Sequence, residues 1–291
     1  MIDNKCRVSS ALFLLICLLP FSKGRAQSYY TSTEFGISLG GSQYFGDLND
    51  NYGFNTFAPA GGIYARKHLN SYISVKAVAN YTRVSYDDKY NSPLYQKSRN
   101  LNFTSDIYEF AVQAEFNFFS FITGSKYHRF TPFLTGGVGA FYYDPYTVYK
   151  GTKYSLEPLG TEGQYAGYAD KKYTHYSPCF PIGAGIKLWI KAGVNLTVEV
   201  ADRLTLTDYM DDVSTTYAGT GKFKPNTPAL YLQDRSVELN PSKPIGVARK
   251  QRGNNASCDQ YLMAMVSISW HFLTYKCPEF MIHDELIKAT R

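Results

Sequence analysis

Few residues in this chain could do covalent chemistry, and those few are loosely placed. His175-Tyr176-Ser177 puts an imidazole and a hydroxyl two residues apart, the pair that ester hydrolysis uses. No carboxylate at a fixed spacing would orient the imidazole, and Pro178 follows at once. Thr207-Asp208-Tyr209-Met210-Asp211-Asp212 offers three carboxylates, weak candidates for a hard cation such as Ca²⁺, but the spacing matches no calcium loop. A polar segment that hydrogen-bonds its own backbone is the stronger account. Leu159-Gly160-Thr161-Glu162-Gly163-Gln164 lacks the Lys and the strand-to-helix setting of a phosphate loop, and reads as an ordered turn. His68, His128 and His271 are scattered along the chain and do not read as a ligand set. These residues call for no cofactor and assign no catalytic residue or metal ligand.

A second set of charged residues has a period instead of a motif. Glu34, Glu109, Glu115 and Glu199, with Arg66, Lys76, Lys187 and Arg203, sit on the polar parity of segments in which every other residue is apolar. Period-two alternation is the signature of strands with two unlike faces. In Leu262-Ala264-Val266-Ile268-Trp270-Phe272 the apolar parity opposes Met263, Met265, Ser267, Ser269 and His271. The same rule governs Tyr108–Phe118, Ile182–Ile190 and Val194–Val200, and more loosely Glu34–Phe45, Phe57–Lys67, Tyr72–Tyr86 and Phe130–Tyr143. Eight strands result, an all-β fold.

The breaks near His68–Ser71, Thr123–Lys126 and Lys191–Gly193 are short. The others, Asp47–Thr56, Asp88–Ser105, Asp144–Cys179 and Asp208–Ser257, are long. Strict alternation of short and long connections predicts an eight-stranded up-and-down antiparallel barrel, and short turns on one side with long loops on the other is the pattern of transmembrane barrels of bacterial outer membranes. A soluble barrel would invert the faces, so bulk must decide. An eight-stranded barrel has an interior only wide enough for side chains, and Gly36, Gly40, Gly62, Gly137, Gly139, Gly183 and Gly185 share the charged parity, whereas Phe110, Phe116, Trp270 and Phe272 share the apolar one. The apolar face therefore meets lipid. Four acids and four bases then cancel inside a narrow lumen, where an unpaired charge would cost several kcal/mol. A paired network without an open pore is expected.

Lys5 and Arg7, the apolar run Ala11–Phe21 and Gly24-Arg25-Ala26 read as a secretory signal over residues 1–26. The barrel occupies 27–273 and a periplasmic tail 274–291, where Phe280, Ile282, Leu286 and Ile287 could give a short helix one apolar side. Removing the signal takes away Lys5, Arg7, Lys23, Arg25 and Asp3, and lowers the net charge of +6 to +3. No basic stripe argues for nucleic acid. Cys179, Cys258 and Cys277 are an odd, widely spaced set, and a Cys179–Cys258 bridge is left open.

Five segments together resemble one family: Gly40-Gly41-Ser42-Gln43-Tyr44-Phe45-Gly46-Asp47, Arg99-Asn100-Leu101-Asn102-Phe103, Leu159–Gln164, Thr207–Tyr217 and Arg252-Gly253-Asn254. They are similar to the PorG-like outer-membrane barrels of the type IX secretion and gliding machinery, over essentially the whole mature chain. The resemblance implies a non-enzymatic outer-membrane component that contacts periplasmic ring proteins of the PorK and PorN type. The runners-up are a lipid-modifying enzyme using His175 and Ser177, and a surface-recognition barrel using the long loops.

Overall fold

The computed structural model describes residues 32–191 and 193–273. The expected signal and the tail from Thr274 onward lie outside them. Among the described residues nine strands form: β1 Ser32–Phe45, β2 Ala58–His68, β3 Ile73–Asp87, β4 Asn102–Asn117, β5 Phe130–Tyr149, β6 Thr152–Ser155, β7 Tyr176–Lys191, β8 Val194–Thr205 and β9 Gln260–Leu273. All pairings are antiparallel between neighbours in the order β4-β3-β2-β1-β9-β8-β7-β5, and β4 pairs with β5 to close the ring. This is a closed eight-stranded antiparallel barrel. The ninth strand, β6, is no stave. Among the described residues it pairs with the end of β5, Tyr146–Tyr149, past the last β5–β7 pair Tyr142↔Tyr176, and its four residues were too few to show alternation in the sequence.

The apolar parity faces outward and the charged parity inward. On the outer parity Phe35 is 53%, Leu39 69%, Ile63 64% and Phe110 59% exposed, while Glu34, Glu115 and Lys187 are buried on the inner one. A surface of bare hydrocarbon around a charged interior suits lipid and not water. The inner wall is crowded: at Gly137 an added Cβ would stand 2.2 Å from the Val112 carbonyl oxygen of the adjoining strand.

Aromatic rings mark two levels on the outside. The pairings Tyr81↔Tyr108, Tyr108↔Tyr142 and Tyr142↔Tyr176 carry one tyrosine row across β3, β4, β5 and β7, with ring centroids 5.1, 6.4 and 5.2 Å apart. At the short-turn end Phe116 meets Phe118 and Phe35 meets Phe272. Tyr108 and Phe118 are ten residues apart, roughly 26 Å at about 3.4 Å per residue and a tilt of about 40°. That spacing is close to the ~25 Å apolar band of such barrels.

The two ends differ. At one end the β4–β5 connection, expected as a tight break at Thr123–Lys126, runs over residues 118–129 and folds back across the mouth. Its Phe121 and Thr123 are buried, the Phe121 amide donates to the Ser71 carbonyl at 3.0 Å, and Asn195 Nδ2 donates to Thr123 Oγ1 at 3.0 Å. At the other end the long connections pack together with the helices Leu94–Arg99, Pro228–Gln233 and Ser236–Leu239. A single apolar cluster runs from Met263 and Phe141 in the barrel to Leu48, Leu156, Met210 and Leu232 in these loops.

Candidate functional site

The lumen brings all eight of the alternating charged residues into contact. Glu115 is the hub: Arg66 Nε lies 2.8 Å and Lys187 Nζ 2.6 Å from its Oε2, and Lys76 Nζ 3.6 Å from its Oε1. Arg66 Nη1 reaches on to Glu34 at 2.9 Å, and Lys76 to Glu199 at 2.5 Å. A second group lies nearer the long loops, where Glu109 accepts from Arg203 Nε at 3.1 Å, Tyr261 at 2.6 Å and Asn80 at 2.7 Å. Strand register sets the Glu34–Arg66 pair, whose members stand directly opposite each other, whereas Lys187 and Glu199 reach Glu115 and Lys76 across the lumen from strands that are not their neighbours. Buried charges held in this way satisfy one another at short range, where the low dielectric strengthens each pair. Lys76, Glu199 and Arg203 line a lumen cavity of about 20 Å³, room for about one water.

At the short-turn end, Glu34, His68 and His271 place their ligand atoms within 4.8 Å of one another. Their spacing along the chain hid this. The available signal was topological: all three have inner parity at the short-turn ends of the first, second and last strands, which closure makes neighbours. His128 stays apart and exposed in the connection 118–129.

The long-loop end holds the less expected arrangement. The five segments that carry the family resemblance, scattered from Gly40 to Asn254, converge there in one buried polar cap. Arg99 clamps Asp88 through Nε at 2.8 Å and Nη2 at 2.7 Å, and donates to the backbone carbonyls of Arg252 at 2.7 Å and Asp47 at 3.1 Å. Arg252 donates to Glu162 Oε1 at 3.3 Å and to the Asp212 carbonyl at 2.5 Å. Glu162 in turn accepts from the amides of Ser214 and Thr215 at 3.0 and 3.1 Å. The Asn254 amide donates to Asp47 Oδ2 at 2.8 Å. Between them Gly253 has no room for a side chain, because a Cβ would fall 2.2 Å from Asp47 Oδ2 and 2.7 Å from the Ser214 backbone.

The cap is rich in acid. Tyr44 Oη is 2.6 Å from Asp211 Oδ2 and 2.8 Å from Asp259 Oδ1. A phenol has one proton to give, so the second contact is a good hydrogen bond only when a carboxyl carries a proton. Burial, and then repulsion from Asp47 for Asp211 and from Asp211 for Asp259, pushes both carboxyls well above their ordinary range. Burial likewise lifts Asp47 to about 7 and Asp212 to about 6, and burial with the Asp47 charge lifts Asp208 to about 9.

The cation candidates Asp208, Asp211 and Asp212 do not converge. Asp208 accepts from Ser214 Oγ at 2.6 Å, Asp211 from the amides of Val213 and Leu48 at 2.9 and 3.2 Å, and Asp212 from Thr161 and from Tyr173 at 2.7 Å. His175 and Ser177 are not joined either: His175 Nδ1 meets the Tyr143 carbonyl at 3.0 Å, and Ser177 donates to the Pro178 carbonyl at 3.2 Å. Glu157 and Asp144, 3.8 and 4.0 Å from the imidazole, are acidic neighbours that the sequence did not reveal. Cys179 is a free, buried thiol, so the bridge to Cys258 is not formed. Beside the cap a cleft of about 380 Å³ opens outward, lined among others by Asp50, Tyr52, Tyr95, Gln96, Arg99 and Asn254.

Solved structures with a similar strand arrangement include outer-membrane barrels. Neisserial surface protein A is 12% identical with a TM-score of 0.40, covering 83% of this chain and 99% of its own. The N-terminal barrel domain of Pseudomonas aeruginosa OprF is 9% identical with a TM-score of 0.35, covering 82% and 97%. The attachment invasion locus protein Ail of Yersinia pestis is 10% identical with a TM-score of 0.37, covering 84% and 100%. No curated protein matches the chain. A family model described as a domain of unknown function, DUF6089, matches residues 9–220, and the chain belongs to that family.

Proposed function

We propose that this chain is a non-enzymatic barrel of a bacterial outer membrane that anchors or assembles a periplasmic ring of the type IX secretion and gliding machinery. Its short-turn end and both termini face the periplasm in this reading, its belt contacts outer-membrane lipid, and its partners are ring proteins of the PorK and PorN type. One observation carries the reading. The five segments that resemble PorG-like barrels meet in a single buried cap, so the likeness belongs to one built feature and not to five unrelated stretches. The tightly filled lumen supports a scaffold over a conduit.

The experiment is a deletion strain paired with crosslinked affinity purification from membranes. Loss of type IX cargo export, together with recovery of ring proteins on the tagged barrel, is expected. Normal export in the deletion strain would refute the role. The cleft beside the cap favours a second reading, a surface-recognition barrel, since its exposed Tyr52, Tyr95, Asp50 and Asn254 border a volume suited to a small ligand. That reading gains if substitutions of Tyr52 and Tyr95 abolish binding of an extracellular ligand while export persists.

A further inference from the structure

Glu34, His68 and His271 lie on β1, β2 and β9, three adjacent strands of which β1 is the middle one. Glu34 stands directly across from His271, and Ser32 across from His68, so the three side chains share the inner face at neighbouring and diagonal positions. The Glu34 side chain is fully buried, and those of His68 and His271 are 6% and 2% exposed. His68 Nε2 lies 2.6 Å and His271 Nδ1 3.9 Å from the same oxygen, Glu34 Oε1. Two imidazole nitrogens and a carboxylate oxygen form a donor set for zinc-type ions, which hold such ligands at about 2.0–2.2 Å. Tetrahedral ligands at that radius stand about 3.3 Å apart, between the two separations present here.

The surroundings have the features of an outer coordination sphere. Ser74 Oγ lies 2.8 Å from His68 Nδ1. A hydroxyl can accept as well as donate, so Ser74 can also hold the Nδ1–H tautomer, in which Nε2 ligates an ion instead of donating to Glu34. Glu34 Oε2 is engaged by Arg66 at 2.9 Å and Ser269 at 3.0 Å, so an ion would take Oε1, in place of its present 2.6 Å contact with His68 Nε2. Glu115 on the far side of Arg66 offsets the guanidinium charge that an ion would otherwise meet alone. Asn195 Nδ2 donates to Oε1 at 2.6 Å, while its Oδ1 is buried and accepts nothing among the described residues. Turning that amide over would bring Oδ1 against Oε1, an arrangement that repels unless a cation lies between, and would supply a fourth ligand, an oxygen.

We propose that Glu34, His68 and His271 bind one divalent transition-metal ion of the zinc type, which clasps the first, second and last strands at the short-turn end. This site is independent of the secretion reading. The test uses the full chain extracted from membranes in detergent, without a histidine tag and stripped with chelator. Cobalt is titrated in, followed by visible absorption, and zinc displaces it. One equivalent of cobalt with the intense bands of four-coordination is expected, and His68→Gln and His271→Gln should each weaken binding roughly tenfold or more. Heat-modifiable electrophoretic mobility shows whether each variant is a closed barrel. Substoichiometric cobalt on the folded wild-type chain would overturn the proposal whatever the variants do, as would undiminished binding in a folded His68→Gln/His271→Gln double variant.

Discussion

Asp47 and Asp208 show how the cap stores protons. Their carboxyls, lifted by burial to about 7 and about 9, retain protons that the unfolded loops release above an ordinary value near 4. A folded-state value above the unfolded one gives stability that is complete below the unfolded value and is lost as pH rises through the folded one. The cap should therefore loosen between about pH 4 and pH 9. Limited proteolysis of the detergent-solubilised barrel should clip the long loops faster at pH 8.5 than at pH 5. Asp208→Asn keeps an acceptor for Ser214 and should reduce the difference, the remainder coming from Asp47 and Asp212, whereas equal rates for the wild-type chain at the two pH values would contradict the account. The lumen charges behave differently, because each acid there faces a base. Glu115 with Arg66, Lys76 and Lys187 is held by short contacts instead of shared protons.

At the scale of the strand, two adjacent glycines in β5 separate the barrel's two faces. A Cβ at Gly137 would collide with the Val112 carbonyl oxygen, whereas Gly136 has nothing within 4 Å on the lipid side. Gly137→Ala should then cost about 1–3 kcal/mol from overpacking, and Gly136→Ala almost nothing. The temperature at which the folded band disappears in heat-modifiability gels measures this, and equal loss in both variants would count against the assignment of faces. The strands were readable because alternation is local: each residue's parity reports its face without knowledge of the partner strand. The loops were not readable in this way. Arg99, Glu162 and Arg252 find their partners across long stretches of chain, and β6 forms only because the overhang of β5 offers it an edge.

At the scale of the whole molecule, the described residues form a cylinder with apolar walls, a filled lumen and a thick cap at the long-loop end. Planar-bilayer recordings of the purified protein should show no stable, large conductance, since the paired charges leave a cavity of only about 20 Å³ beside Lys76 and Glu199. A reproducible large step would show that the network does not plug the barrel. What the sequence determined by itself was the number of staves, their faces and the identity of the eight inward charges, because period-two patterning and side-chain bulk are properties of each strand alone. Only the tertiary structure decided which charges touch, that Glu34 meets His68 and His271, that Asp208, Asp211 and Asp212 diverge, and that five distant segments form one cap. Those outcomes depend on register and ring closure, which join residues far apart in the chain and leave no local trace.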